Sequence, residues 1–286
     1  MKPGRATNWS WRSTALLVIT LLLVYMLRWF EHSQVYHPSR AFDATGGELK
    51  RPFENTEFRA SDGLRLHGWF FPADANSPRA DWAVLVCHGN GGNISHRLDL
   101  AAALLQTGVA VFLFDYRGYG RSEGRPGEEG TYRDAQAAHA WLLQKGFRGE
   151  HIVAFGESLG GGIVSELALR ETLGGIVLQS TFTSIPDIGA EVFPWLPVRR
   201  INTIKYDTRA KLPRIKIPVL VMHSRQDTLA RFSHAEANFA AANESKLLWE
   251  LAGDHNESVE DPAHMTRGIE QFLRLVESHQ VQEARH

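Results

Sequence analysis

The chain has 286 residues, 43% hydrophobic and 22% charged, so it can enclose one large α/β core or two small ones. Its 31 basic and 32 acidic residues leave a formal net charge of −1, and arginine pairs such as Arg199-Arg200 are isolated, which argues against nucleic acid as a partner. Cys87 is the single cysteine and excludes an intrachain disulfide, and without C-x-x-C or H-E-x-x-H the 13 histidines have no metal-ligand spacing, so no metal or cofactor is expected.

In chain order, the first feature is apolar. No residue from Ser13 to Leu27 is charged, and if Arg28 snorkels the segment reaches Phe30, with Trp9, Trp11 and Trp29 suited to the two interfaces. Tyr25 to Pro38 is bulky or charged and has no A-x-A-like cleavage site, so residues 13–30 are expected to be an uncleaved transmembrane signal anchor rather than a cleaved signal or a buried helix. Lys2, Arg5 and Arg12 precede it, and Arg40 and Lys50 follow at a distance. The charge bias, weakened by Arg28, places residues 1–12 in the cytoplasm and the rest on the extracytoplasmic side. Residues 31–52, with Pro38, Gly46, Gly47 and Pro52, read as a linker to a domain spanning 53–279, and 280–286 as a tail.

Within that domain, Glu54 to Ala60 and Leu64 to Phe71 alternate around Ser61-Asp62-Gly63, which predicts a β-hairpin. Continuous apolar runs follow at Trp82 to His88, Val109 to Asp115, His151 to Phe155, Gly175 to Gln179, Pro218 to His223 and Lys246 to Leu251. Helical stretches are expected at Ser95 to Thr107, Thr131 to Lys145 and Gly162 to Glu171. This alternation predicts an α/β fold with a mostly parallel central sheet and helices on both faces. Residues 181–217 are longer than a crossover requires and are expected to form a small cap insertion. Its Phe193, Trp195 and Leu196 would offer an apolar surface to an acyl chain, unless the segment simply packs over the sheet edge.

Gly156-Glu157-Ser158-Leu159-Gly160 fits the nucleophile elbow G-x-S-x-G, a sharp strand-to-helix turn that exposes the serine hydroxyl. A serine is a weak nucleophile until an imidazole takes its proton, and the imidazole needs a carboxylate to fix its tautomer and stabilise its cation. Ligands gather beyond the carboxyl ends of strands in an open α/β sheet. That rule selects Ser158 as nucleophile, Asp227 as acid and His255 as base, in the chain order of α/β-hydrolases. Asp254 and Glu157 are the competing carboxylates, and His88 is a loop brace rather than the base. The oxyanion hole is expected from the backbone N–H of Leu159 and of Asn90, in the glycine-rich loop after the Trp82 to His88 strand.

These features together resemble the α/β-hydrolase superfamily, and more closely its membrane-anchored branch of bud-emergence-type hydrolases and α/β-hydrolase-domain proteins, some of which are acyl-protein thioesterases. The resemblance covers about Val35 to Val276. It rests on His88-Gly89-Asn90-Gly91-Gly92-Asn93, Asp115-Tyr116-Arg117-Gly118-Tyr119-Gly120-Arg121-Ser122, Gly156-Glu157-Ser158-Leu159-Gly160-Gly161 and Ser180-Thr181-Phe182-Thr183-Ser184. It implies a serine hydrolase acting on ester or thioester bonds of small or lipid-like acyl substrates through an acyl-enzyme. The chain departs from the family at His223-Ser224, where a histidine-glycine pair is usual, and at Leu229-Ala230-Arg231 after the acid. It also lacks the N-terminal cysteine cluster of the depalmitoylating members. A peptidase on the same fold and a catalytically silent membrane-tethered scaffold are the alternatives.

Overall fold

The computed structural model describes residues 11–257 and 260–284; Lys2, Arg5 and Trp9 of the N-terminal flank and the end of the 280–286 tail lie outside the described residues. The chain divides into two units, Met1–Tyr36 and His37–His286.

In the first unit, α1 (Trp11–Val35) is one continuous helix. Ser13–Val35, 23 residues, is long and apolar enough to cross a membrane. At 1.5 Å per residue it extends about 35 Å, against a hydrocarbon core of about 30 Å. The helix passes the expected boundary at Phe30 because residues 31–35 contain no glycine or proline. Pro38 is the first residue to oppose helical geometry, at itself and at the residue before it.

The second unit begins with β1 (His37–Pro38), followed by the hairpin β2 (Glu54–Arg59) and β3 (Arg65–Phe71). Next come β4 (Ala83–Cys87), β5 (Gly91–Gly92), α2 (Leu98–Leu105), β6 (Ala110–Asp115), α3 (Glu128–Gln144), β7 (Ile152–Glu157), α4 (Leu159–Arg170) and β8 (Gly175–Gln179). Three short helices, α5 (Ile185–Val192), α6 (Val198–Ile201) and α7 (Thr208–Lys211), lead to β9 (Val219–Ser224), α8 (Phe232–Ala241), β10 (Lys246–Leu251) and α9 (Pro262–Glu283). Eight strands form one sheet in the order β10-β9-β8-β7-β4-β6-β3-β2. Pairing is parallel from β10 to β6 and antiparallel at β6–β3 and β3–β2.

Central strands β4, β6, β8 and β9 are buried along their whole length, which is why they read as unbroken apolar runs. One row of their side chains, including Val84, Val86, Leu113, Val177 and Leu220, joins α2 and α9 in a single core that contains Leu104, Phe272 and Val276. On the other face α3 and α4 pack against each other and α4 against β7 and β8. Strand order reverses at β4, because β6 is added on one side of it and β7 to β10 on the other. The crevice beyond the carboxyl ends of β4 and β7 is therefore the switch point of the sheet.

Two segments, one expected to be a linker and the other a cap insertion, are built into this framework. The expected linker 31–52 is part of the fold from His37 onward, since β1 pairs in parallel with β5. In the expected cap insertion, α5 and α6 pack on each other, but the later half lies on the helical layer. There α7 packs against α4, Lys211 pairs with Glu166 at 2.9 Å and the Tyr206 hydroxyl meets that of Thr131 at 2.7 Å.

The loop after β6 is held by a buried ion-pair network. The Arg117 guanidinium donates to Asp134 through Nε at 3.0 Å and Nη2 at 2.8 Å, and to Asp62 through Nη1 at 2.8 Å; Asp134 also accepts the Arg117 N–H at 2.8 Å. Asp134 is fully buried. Arg117→Met leaves that carboxylate without its cation, and the expected cost is about 3–5 kcal/mol of unfolding free energy, measured by urea titration of the solubilised protein.

Candidate active site

Between the last residue of β7 and the first of α4, Ser158 adopts φ 51° and ψ −109°, a sparsely populated conformation for a residue with a side chain. Its surroundings impose it. The Ser158 N–H donates to the Gln179 carbonyl on β8 at 2.8 Å, and the Ser158 carbonyl accepts from the Gly161 N–H at 3.1 Å. Helix α4 comes so near β4 that a Cβ on Gly160 would collide with the Cys87 carbonyl, and one on Gly161 with the Thr181 side chain. The glycines after the serine thus set the close approach that forces the turn.

The loops after β9 and β10 bring Asp227 and His255 to this turn. His255 Nε2 lies 3.0 Å from Ser158 Oγ, and His255 Nδ1 lies 2.7 Å from Asp227 Oδ2. With Nδ1–H donated to the carboxylate, the Nε2 lone pair faces the serine hydroxyl. Asp227 Oδ1 accepts the N–H groups of Leu229 at 3.0 Å and Ala230 at 2.7 Å. His223 Nε2 donates to the Ala230 carbonyl at 2.6 Å and lies 3.2 Å from Asp227 Oδ2. Burial alone would raise the Asp227 pKa, but the hydrogen bonds from His223 and His255, the His255 charge and the Ala230 N–H outweigh it and hold the carboxyl well below the usual range. Asp254 does not face the imidazole. It accepts the N–H groups of His255 at 2.7 Å and Thr228 at 2.8 Å, tying the acid loop to the base loop.

Opposite the elbow, the loop after β4 is oriented by a series of hydrogen bonds. Tyr116 donates to the His88 carbonyl at 2.9 Å, and His88 Nδ1 to the Gly89 carbonyl at 2.7 Å. The Asn90 carbonyl accepts from the Tyr119 hydroxyl at 2.8 Å and from the His37 N–H at 3.0 Å. Because a trans peptide points its N–H away from its C=O, the His88 contact at Gly89 also fixes the direction of the Asn90 N–H. The Leu159 N–H belongs to the first turn of α4, where a helix supplies no internal acceptor.

A cavity of about 280 Å³ lies over Ser158, lined by the 89–92 backbone, Arg97, Glu157, His255 and Asn256 among others. Phe193, Trp195 and Leu196 are not among its lining residues; Phe193 and Trp195 meet edge to face at 6.2 Å, and Trp195 is 75% exposed. Reading the sequence did not single out Arg97 or the link from His223 to the acid. The signal for Arg97 was a carboxylate, Glu157, beside Ser158 that needed a cation. Among the described residues no three His, Cys, Asp or Glu side chains converge as metal ligands.

The chain can be compared with known proteins on this basis. Residues 78–206 match the Hydrolase_4 family model, described as serine aminopeptidase, S33. The chain is 36% identical to an uncharacterized protein of Mycobacterium tuberculosis, over 91% of this chain and 93% of that one. It is 32% identical to the α/β hydrolase domain-containing protein WAV2 of Arabidopsis thaliana, over 77% and 78%. It is 30% identical to protein bem46 of Schizosaccharomyces pombe, over 75% and 76%. Among solved structures, an esterase of Pyrococcus furiosus shares the fold with a TM-score of 0.68 at 22% identity, over 84% of this chain and 97% of that one.

The depressed Asp227 pKa has a signed consequence. An unfolded aspartate titrates near pH 3.9, so the stability Asp227 contributes is fully present above about pH 4 and is lost as pH falls through its lower native value. Asp227→Asn is expected to flatten the acid limb of stability against pH, followed by denaturant midpoints, and to lower kcat on any ester the protein hydrolyses by about 10⁴-fold.

Proposed function

The chain belongs to the α/β-hydrolase superfamily, in its bem46-type branch, and from that premise we propose that it is a serine hydrolase cleaving carboxylic ester or thioester bonds through an acyl-enzyme. The observation that carries the reading is the His255 imidazole set between Asp227 at 2.7 Å and Ser158 at 3.0 Å on a strained elbow. His255 Nε2 takes the hydroxyl proton as Ser158 Oγ attacks the carbonyl carbon. The N–H groups of Leu159 and Asn90 receive the oxyanion, each donor contributing about 2.7–4 kcal/mol to the transition state. Asp227 stabilises the imidazolium, which then protonates the leaving alcohol or thiol. Water, activated by the same imidazole, releases the acid.

The size and polar lining of the cavity favour short acyl groups at the serine over long ones. The esterase named for the Pyrococcus furiosus neighbour is consistent with ester substrates. The family description names a serine aminopeptidase, but an α-ammonium needs an uncompensated carboxylate. Glu157, the carboxylate lining the cavity among the described residues, already carries Arg97. Helix α1 anchors the enzyme to a membrane in this reading, with the catalytic unit on the extracytoplasmic side, as the basic residues before the helix favour.

A fluorophosphonate probe is expected to label the detergent-solubilised protein but not Ser158→Ala, and that variant is expected to lose about 10⁴–10⁶-fold in ester turnover. An unlabelled wild type, or faster cleavage of a peptide amide than of a short-chain ester, overturns the reading. For topology, a C-terminal alkaline phosphatase fusion is expected to be active, and a silent fusion places the catalytic unit in the cytoplasm instead.

A further inference from the structure

The serine cavity contains one charged pair that the proposed chemistry does not use. Arg97 stands just before α2, and Glu157 immediately precedes the nucleophile. Arg97 Nε donates to Glu157 Oε2 at 2.8 Å and Nη2 to Oε1 at 3.1 Å, a two-pronged contact with both side chains largely out of solvent. The Glu157 carboxylate also lies against the loop after β4. It sits so close under that loop that a Cβ on Gly89 would lie 3.2 Å from Oε1. One carboxylate therefore packs against the loop carrying Asn90 and is covalently part of the elbow carrying Leu159.

We propose that Arg97 and Glu157 are a positioning pair that sets the separation of the two oxyanion donors. Fixing Glu157 fixes Leu159, two residues on, through the rigid turn. Its close approach to Gly89 sets the position of the backbone just before the Asn90 N–H. Arg97 holds the carboxylate in the orientation that serves both, which a lysine, with no planar fork, cannot reproduce. Burial would push Glu157 up, but the Arg97 charge and hydrogen bonds outweigh it and keep the carboxyl below the usual range. At neutral pH Glu157 is thus an acceptor with no proton to give, which suits a spacer and not a general acid. Misplacing reacting groups by about 1 Å can cost about 100-fold in rate.

This inference rests on the serine-hydrolase reading, and one experiment separates the two. In detergent, the full chain and its Glu157→Gln and Arg97→Lys variants are assayed for fluorophosphonate labelling, for kcat and KM on a short-chain ester, and for inhibition by a trifluoromethyl ketone, which forms a tetrahedral oxyanion on the serine. Both variants are expected to lose about 10- to 100-fold in kcat, less than outright loss of a donor, with KM within about threefold. Ketone affinity should fall by the same factor as kcat/KM. The double variant should be no worse than either single one, because both break one unit. If Glu157→Gln does not fold, by thermal unfolding, Arg97→Lys decides alone. An unlabelled wild type overturns the serine reading and the positioning role with it. A labelled, active wild type whose variants keep kcat, lose only in KM, or bind the ketone unchanged overturns the positioning role alone.

Discussion

The approach of α4 to the Cys87 carbonyl at Gly160 is the contact on which the rest of the site depends. It brings a helix N-terminus against the end of β4, so the elbow after β7 and the loop after β4 face each other across the switch point of the sheet. With α4 that close, the chain has no relaxed path from Glu157 to Leu159, and Ser158 takes the strained conformation. The strain persists because its neighbours over-determine it: Gln179 on β8 holds one side of the serine and Gly161 the other. The placement of Ser158 is thus a by-product of helix–sheet packing, and its precision is that of the core.

The loops around it gain their order differently, through carboxylates that accept from backbone and side-chain donors. Asp115 accepts the Ile94 N–H at 3.0 Å, Asp134 holds Arg117, Asp227 gathers two backbone N–H groups and two imidazoles, and Asp254 links the two loops at the rim. A buried carboxylate is costly unless its partners are in place, so Asp134 and Asp227 each favour a single conformation of their loops. That is how a surface built of connections can hold donors and acceptors at hydrogen-bond distances.

The sheet was legible in the sequence because its inner strands are buried on both faces, and the proposed triad because its members follow strand ends in chain order. Boundaries near glycines were not. Helix α4 starts at Leu159 although Gly160, Gly161 and Gly162 are poor helix formers, because contacts with β4, Thr181 and Tyr206 leave no room for side chains. Helix α3 starts at Glu128 although Gly130 follows, because the Arg117 side chain fills the space where a Cβ would stand and two glutamates favour the first turn. The Arg97–Glu157 pair spans 60 residues and has no spacing rule, so only the folded chain reveals it.

The pairing of β1 with β5 alters where the second unit begins. His37 and Ser39 donate to the Asn90 and Gly92 carbonyls, and the Asn93 side-chain amide donates to the carbonyls of Ser39 and Ala41. A protease cutting between residues 31 and 36 would shed a unit with all of these bonds. A cut between residues 42 and 52, equally remote from Ser158 in sequence, would release the same sheet without the bonds that residues 37–41 make to the loop after β4. Under the proposed function, the position of a nick before residue 53 therefore decides whether a released unit keeps the bonds that join residues 37–41 to the loop after β4.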